Sequence, residues 1–266
     1  EKYLFDSIQF IRTLDERGKQ DYYEVLNRLY GLYVLSNNYY EAKMGLEKNV
    51  KEIKKELGEF HIILRSSYTN LLQIYTSQTS HRDLEKAKNI KNDLLIILKK
   101  NKKLTLNHDV SLAHIGGYYL NIGDFKKSEK YYQKALNLKK DPAYKFFLIL
   151  SKVNLGKLKE AEKIIINQEK NYNSISSYDH IGFLTAKSYL YYSKKDLEKF
   201  NKNALDLYLY FSSYSKGNFG KGNPDVSFYS SEIIVFLEDV LSLNRKNFVK
   251  LNQIFESNIS KDLNSV

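Results

Sequence analysis

The stretch GGYYLNIGDFKKSEKYYQKAL, Gly116–Leu136, decides how the rest of the chain is read. Ile115, Tyr119 and Ile122 fall at three- and four-residue steps, so they share one face of a helix. Gly123 ends that helix, and a second begins near Phe125 after the Gly123-Asp124 break. Phe125, Ser128, Tyr132 and Ala135 then turn back against the first helix. Gly116, Ser128 and Ala135 are small enough for two backbones to approach, with tyrosine rings filling the space beside them. The stretch is a helical hairpin with no nucleophile, phosphate loop or metal cluster.

The same scheme recurs along the chain, which is the decisive test for a repeat architecture. LNRLYGLYVLSNNYYEAKMGLEKN carries Leu29, Tyr33, Tyr39, Ala42 and Leu46 at matching offsets. SYTNLLQIYTSQTSHRDLEKAKNIKNDLL repeats it with Leu71, Leu72, Tyr75, Leu84 and Ala87, and a longer turn through Ser80-His81-Arg82. FFLILSKVNLGKLKEAEKIII supplies Leu148, Gly156, Leu158, Ala161 and Ile165. LTAKSYLYYSKKDLEKFNKNAL departs most, with Tyr191, Leu197, Phe200 and Ala204. The anchors Ala42, Ala87, Ser128, Ala161 and Phe200 follow one another at intervals of about 33–45 residues.

This order of small and aromatic residues resembles the tetratricopeptide repeat, whose period is about 34 residues. Three of the four intervals here are longer, so several helices or turns are elongated. The resemblance covers residues 21–211 and implies an all-α fold. The expected form is a right-handed superhelical solenoid of about five such hairpins, followed by a C-terminal helical hairpin. The chain is expected to be one domain over 1–266. It has a leading helix at 1–20, repeats over 21–211, a loop over 212–225 and a terminal hairpin over 226–260. SSYSKGNFGKGNPD, Ser212–Asp225, reads as a surface connection in preference to a lid over a groove.

Composition agrees with helix throughout: 266 residues hold only two prolines and twelve glycines. With 23 tyrosines, 14 phenylalanines and no tryptophan, the core is built from Tyr and Phe. The absence of cysteine removes disulfides, thiolate catalysis and Cys-ligated zinc. No apolar run is long enough to span a membrane, and cytoplasmic placement is favoured. The chain opens on Glu1, which points to a trimmed or processed form. A net charge of +11 raises nucleic-acid binding, but the densest lysine cluster, Lys86–Lys103, lies toward a helix C-terminus. There lysines complement the helix dipole. Arginine is scarce, so nucleic acid is disfavoured as a partner.

No constellation carries catalysis. His61, His81, His108, His114 and His180 form no i, i+4 pair with an adjacent glutamate. KGNFGKGNPD lacks the Gly-Lys-Ser/Thr ending of a phosphate loop, and no Gly-x-Ser-x-Gly elbow occurs. A non-enzymatic protein without metal or cofactor is expected.

In tetratricopeptide proteins the first helix of each repeat lines the concave wall. Carrying that register over puts Asn27, Thr69, Gln73, Asn121, Phe146, Leu150, Asn154, Tyr189 and Tyr192 on the inner side. Amides offer both donor and acceptor to an extended peptide backbone, and the aromatic residues supply apolar pockets. Asn121 and Asn154 each precede a helix-ending glycine, where Asn is common for local reasons. Ala113, Gly117 and their neighbours lack the clamp with which chaperone-binding members hold a terminal carboxylate, which disfavours a chaperone-adaptor role. The leading expectation is a scaffold gripping a peptide or protein segment in the concave groove. A finer version, by similarity to bacterial peptide-pheromone receptors with elongated repeats, is the sensor part of a signalling or transcriptional regulator. The alternative is an architectural module that self-associates through the terminal hairpin, with Tyr229, Ile233, Phe236 and Val240 as its apolar stripe.

Overall fold

The computed structural model describes residues 16–36, 38–77, 80–101, 107–170, 177–200, 202–204 and 206. The chain divides into two compact units, 1–203 and 204–266, and all but Ala204 and Asp206 of the described residues belong to the first. Expectations for the start of the leading helix, the 212–225 loop and the terminal hairpin lie outside the described residues.

The described part is helical, without a strand. Its elements are α1 (Glu16–Leu35), α2 (Tyr39–Leu57), α3 (Leu64–Thr76), α4 (Leu84–Lys100), α5 (His108–Asn121), α6 (Phe125–Leu138), α7 (Pro142–Asn154), α8 (Leu158–Glu169) and α9 (Ser177–Ser193). Helical backbone resumes at 197–200. Consecutive helices pair as hairpins, and the first helices α1, α3, α5, α7 and α9 also pack one on the next in that order. Each second helix (α2, α4, α6, α8) packs on the first helix of the following hairpin. The result is a stacked solenoid whose first helices form one continuous wall.

One backbone hydrogen bond identifies the repeat at every turn. The amide of Asn38 donates to Tyr33 O, Asp83 to Tyr75 O, Asp124 to Tyr119 O, Lys157 to Lys152 O and Asp196 to Tyr191 O, all at 2.8–3.0 Å. Four of these span five residues; the Asp83 bond spans eight, the longer second turn expected from Ser80-His81-Arg82. Four residues after each donor stand Ala42, Ala87, Ser128, Ala161 and Phe200, each donating back to it and each at most 2% exposed. The anchors taken from the sequence are therefore structurally equivalent, including Phe200 in the most divergent copy. Helix starts are set by acidic caps. Asp83 accepts from Lys86 N, Asp124 from Lys127 N and Asp196 from Lys199 N, while Asp141 accepts from Ala143 N ahead of Pro142.

Tyrosines do fill the core. Tyr23, Tyr68 and Tyr75 are among the largest fully buried side chains. The ring of Tyr132 lies so close to α5 that a methyl group on Gly116 would stand 3.0 Å from it. The same ring stacks on Phe147, with centroids 5.3 Å apart. Buried polar pairs join successive first helices. Ser67 Oγ donates to Asn27 Oδ1 between α1 and α3, Thr69 and Ser111 hydroxyls meet at 3.0 Å between α3 and α5, and Tyr144 Oη donates to Asp109 at 2.9 Å between α5 and α7. Between α7 and α9 the link is apolar, with the Phe146 and Phe183 rings 6.2 Å apart.

Two measurements test this packing. Gly123 (φ 78°), Gly156 (φ 73°) and Lys195 (φ 58°) occupy the same turn position. Only glycine adopts that region without strain. Lys195→Gly should raise unfolding free energy by up to about 1 kcal/mol and Gly156→Lys should lower it by about 1 kcal/mol in urea melts. His114 on α5 is desolvated, which lowers it from 6.5 to about 4. Between those pH values the unfolded chain binds a proton that the folded chain does not. Stability is therefore full above pH 6.5 and falls as pH drops toward 4. The slope from this group approaches about 1.4 kcal/mol per pH unit. His114→Gln should remove that increment from the acid limb.

Candidate functional site

From the second hairpin onward, first helices differ from second helices in charge. α3, α5 and α7 carry one, one and two charged side chains, against seven, five and five on α4, α6 and α8. Both charges on α7 are engaged. Lys145 donates to Gln168 at 2.7 Å, and Lys152 bridges Glu129 and Glu160 at 2.6 Å. Although burial pushes Glu129 up, hydrogen bonds from Lys152 and Lys157 hold its carboxyl below the usual range. The surface charge of these hairpins thus sits mainly on the second helices, and the wall of first helices is polar or apolar but nearly uncharged.

The expected site residues fall into separate rows of that wall. Asn27, Thr69 and Phe146 occupy the same repeat position and are buried. Asn27 donates to Ile63 O at 3.1 Å, while its Oδ1 accepts from Asn49 Nδ2 at 2.8 Å and from Ser67. Thr69 is held by Arg65 O and Ser111. The accessible row runs one residue later, through Arg28, Asn70 and Phe147, because one step along a helix rotates the side chain by about 100°. Phe147, 42% exposed, is thus the open aromatic on α7, where the sequence register pointed to Phe146. The carried-over register mixes a row aimed between helices with rows aimed outward.

The other expected residues lie on the accessible side. Gln73, Leu150 and Tyr189 are half-buried at one equivalent position, and Tyr192 beside them packs edge-on against Phe200 at 6.0 Å. The Gln73 amide has no hydrogen-bond partner among the described residues. Asn121 and Asn154 are exposed and behave identically. Asn121 Nδ2 donates to Gly117 O at 3.0 Å and Asn154 Nδ2 to Leu150 O at 2.9 Å. Each bond caps its own helix end and leaves the side-chain oxygen outward.

Arg65 is not marked by the sequence register. It stands one turn before Thr69 and two before Gln73, only 9% exposed, with no ion-pair partner for its guanidinium among the described residues. Burial lowers its pKa, partly offset by Glu24 and Asp109 nearby. Its isolation in a nearly uncharged helix is the signal the sequence offered. Among the described residues no cluster could hold a metal ion, and no helix is long and apolar enough to cross a membrane.

Asn27 and Asn121 separate structural from surface amides. Asn27→Ala strands Ser67, Asn49 and Ile63 O in the core and should cost about 2–4 kcal/mol by thermal or chemical unfolding. Asn121→Ala should change stability by no more than about 0.5 kcal/mol.

No protein-family model matches the chain, and no curated protein matches it. Among solved structures it is similar to TPR-like repeats of a putative kinesin light chain from Podosopora anserina, described as nearly identical repeats. Identity is 15% and the TM-score 0.53, over 72% of this chain and 96% of that one. A glutamine-to-methionine variant of the same protein gives 15% identity and a TM-score of 0.54, over 72% of this chain and 95% of that one. At that identity the likeness concerns fold alone, and the fold is a TPR-like helical-repeat solenoid.

Proposed function

We propose that this protein is a binding scaffold that receives an extended peptide or protein segment on its wall of first helices. The observation that carries the reading is the uncharged wall itself. In a chain of net charge +11, the first helices α3, α5 and α7 carry almost no charge, while they present Gln73, Asn121 and Asn154 with Phe147 and Leu150 between them. Amides that give and accept hydrogen bonds suit a peptide backbone of any sequence. The apolar side chains at α7, with Tyr189 and Tyr192 on α9, suit alternate side chains of the segment. The TPR-like fold supports a protein partner. The finer reading is the sensor part of a bacterial signalling regulator that answers to a peptide. Its support is the elongation of the repeats, since three of the four anchor intervals exceed the usual period of about 34 residues.

A random heptapeptide pool, screened by thermal shift and then by calorimetry on the hits, tests the scaffold reading. The Asn121→Ala/Asn154→Ala double variant should keep its melting temperature and lose about tenfold or more in affinity, from one net hydrogen bond per amide. Unchanged affinity in the double variant refutes the assignment of these two residues. The absence of any hit refutes peptide recognition by this wall.

A further inference from the structure

A second feature lies away from the accessible row of the first helices. Where hairpin two meets hairpin three, α4 touches α5 over much less of its length than α2 touches α3 or α6 touches α7. The gap is a groove of about 390 Å³ between α4, α5 and α6. Leu95 and Leu98 come from α4, Leu112 from α5, and Tyr131 and Leu138 from α6. Leu138 is 52% exposed, a large apolar side chain left uncovered beside the groove.

The charged groups around it are of one sign. Lys99 and Lys134 line the groove, and neither has a carboxylate within ion-pair distance among the described residues. Lys99 also complements the C-terminus of α4, but Lys134 sits before the last turn of α6 and has no such role. Lys134 Nζ lies 5.4 Å from the centre of the Tyr131 ring. Asn137 also lines the groove, and its Oδ1 already accepts from Gln133. His108, at the start of α5, also lines the groove. Its side chain is only 8% exposed, and its buried Nε2 has no hydrogen-bond partner among the described residues.

We propose that this groove binds an amphiphilic monocarboxylate, with its hydrocarbon body against Leu95, Leu98, Leu112 and Tyr131 and its carboxylate toward Lys99 and Lys134. The walls decide between this occupant and a polypeptide. An incoming chain would bring backbone amides and carbonyls to a surface offering one engaged amide and one imidazole, leaving most of them unsatisfied. A hydrocarbon tail brings no polar group until its end, where two unpaired ammonium groups await a negative charge. The volume lies within the range of small-molecule sites.

Calorimetry of the full chain with decanoate, hexanoate, decanol and decyltrimethylammonium tests the proposal. Decanoate should bind saturably at one site, at least tenfold more tightly than hexanoate or decanol, and the cation should not bind. Lys99→Glu/Lys134→Glu should weaken decanoate at least tenfold, and Leu112→Asn should abolish the difference between decanoate and hexanoate. Non-saturable uptake, equal affinity for decanol, or an unaffected lysine variant would overturn it, as would an acidic amphipathic peptide competing where decanoate is silent. If a variant fails to fold, the comparison of decanoate with decanol on the unmodified chain decides alone. Asn121→Ala/Asn154→Ala should leave decanoate binding unchanged, so this site stands or falls separately from the peptide wall.

Discussion

Hydrogen bonds buried between successive first helices hold the rest of this structure in place. Asn27 with Ser67, Thr69 with Ser111, and Asp109 with Tyr144 each join one first helix to the next in a surrounding of tyrosine and leucine. Apolar packing alone tolerates sliding of one helix on another, since a ridge meets a similar groove one turn away. A buried donor that must find its acceptor does not, because a one-turn slip leaves both unsatisfied at a cost of about 1–3 kcal/mol each. These pairs therefore fix the stagger of the hairpins. The stagger in turn determines which rows of each first helix close against a neighbour and which remain open.

That constraint explains how much could be read from the sequence. The hairpins were legible because their signals are local. Small residues at Ala42, Ala87, Ser128 and Ala161 follow each turn, and every turn proved to carry the same backbone bond. Even the divergent last copy fits, with Phe200 at the small-residue position and Lys195 at positive φ where other copies use glycine. The accessible face was only partly legible, because it depends on contacts between repeats. Nothing within α1 says that Asn27 meets Ser67 of the next first helix, and an asparagine on a helix otherwise reads as surface. Thr69 and Phe146 share that position and that fate, whereas Gln73, Leu150, Asn121 and Asn154 lie on the open side.

The distribution of charge follows the same logic. Second helices face solvent on their outer side, so they can carry lysine and glutamate at no desolvation cost, and ion pairs such as Lys194–Glu162 and Lys187–Glu169 reach across to neighbouring hairpins. The first helices α3, α5 and α7 are flanked on both sides by other first helices and backed by the second helices. A charge there loses much of its hydration, and Lys152 is retained only with two carboxylates around it. An uncharged wall in a strongly basic protein is thus partly forced by stacking. What stacking does not force is the choice of amides over aliphatic residues at Gln73, Asn121 and Asn154.

Arg65 and His108 bear on the same distinction. Packing can account for a buried serine pair or a tyrosine–aspartate bond, because each group is satisfied and each link sets the stagger. It does not account for an imidazole nitrogen buried without a partner, as His108 Nε2 is among the described residues, or for Arg65, a mostly buried residue with no ion-pair partner there. Both lie near the junction of hairpins two and three, where contact between α4 and α5 is sparse. Natural folds keep such costs where a function repays them. Asn49 Oδ1 and Asn203 Oδ1 are likewise buried without a partner among the described residues, so such groups also occur in the first and last hairpins.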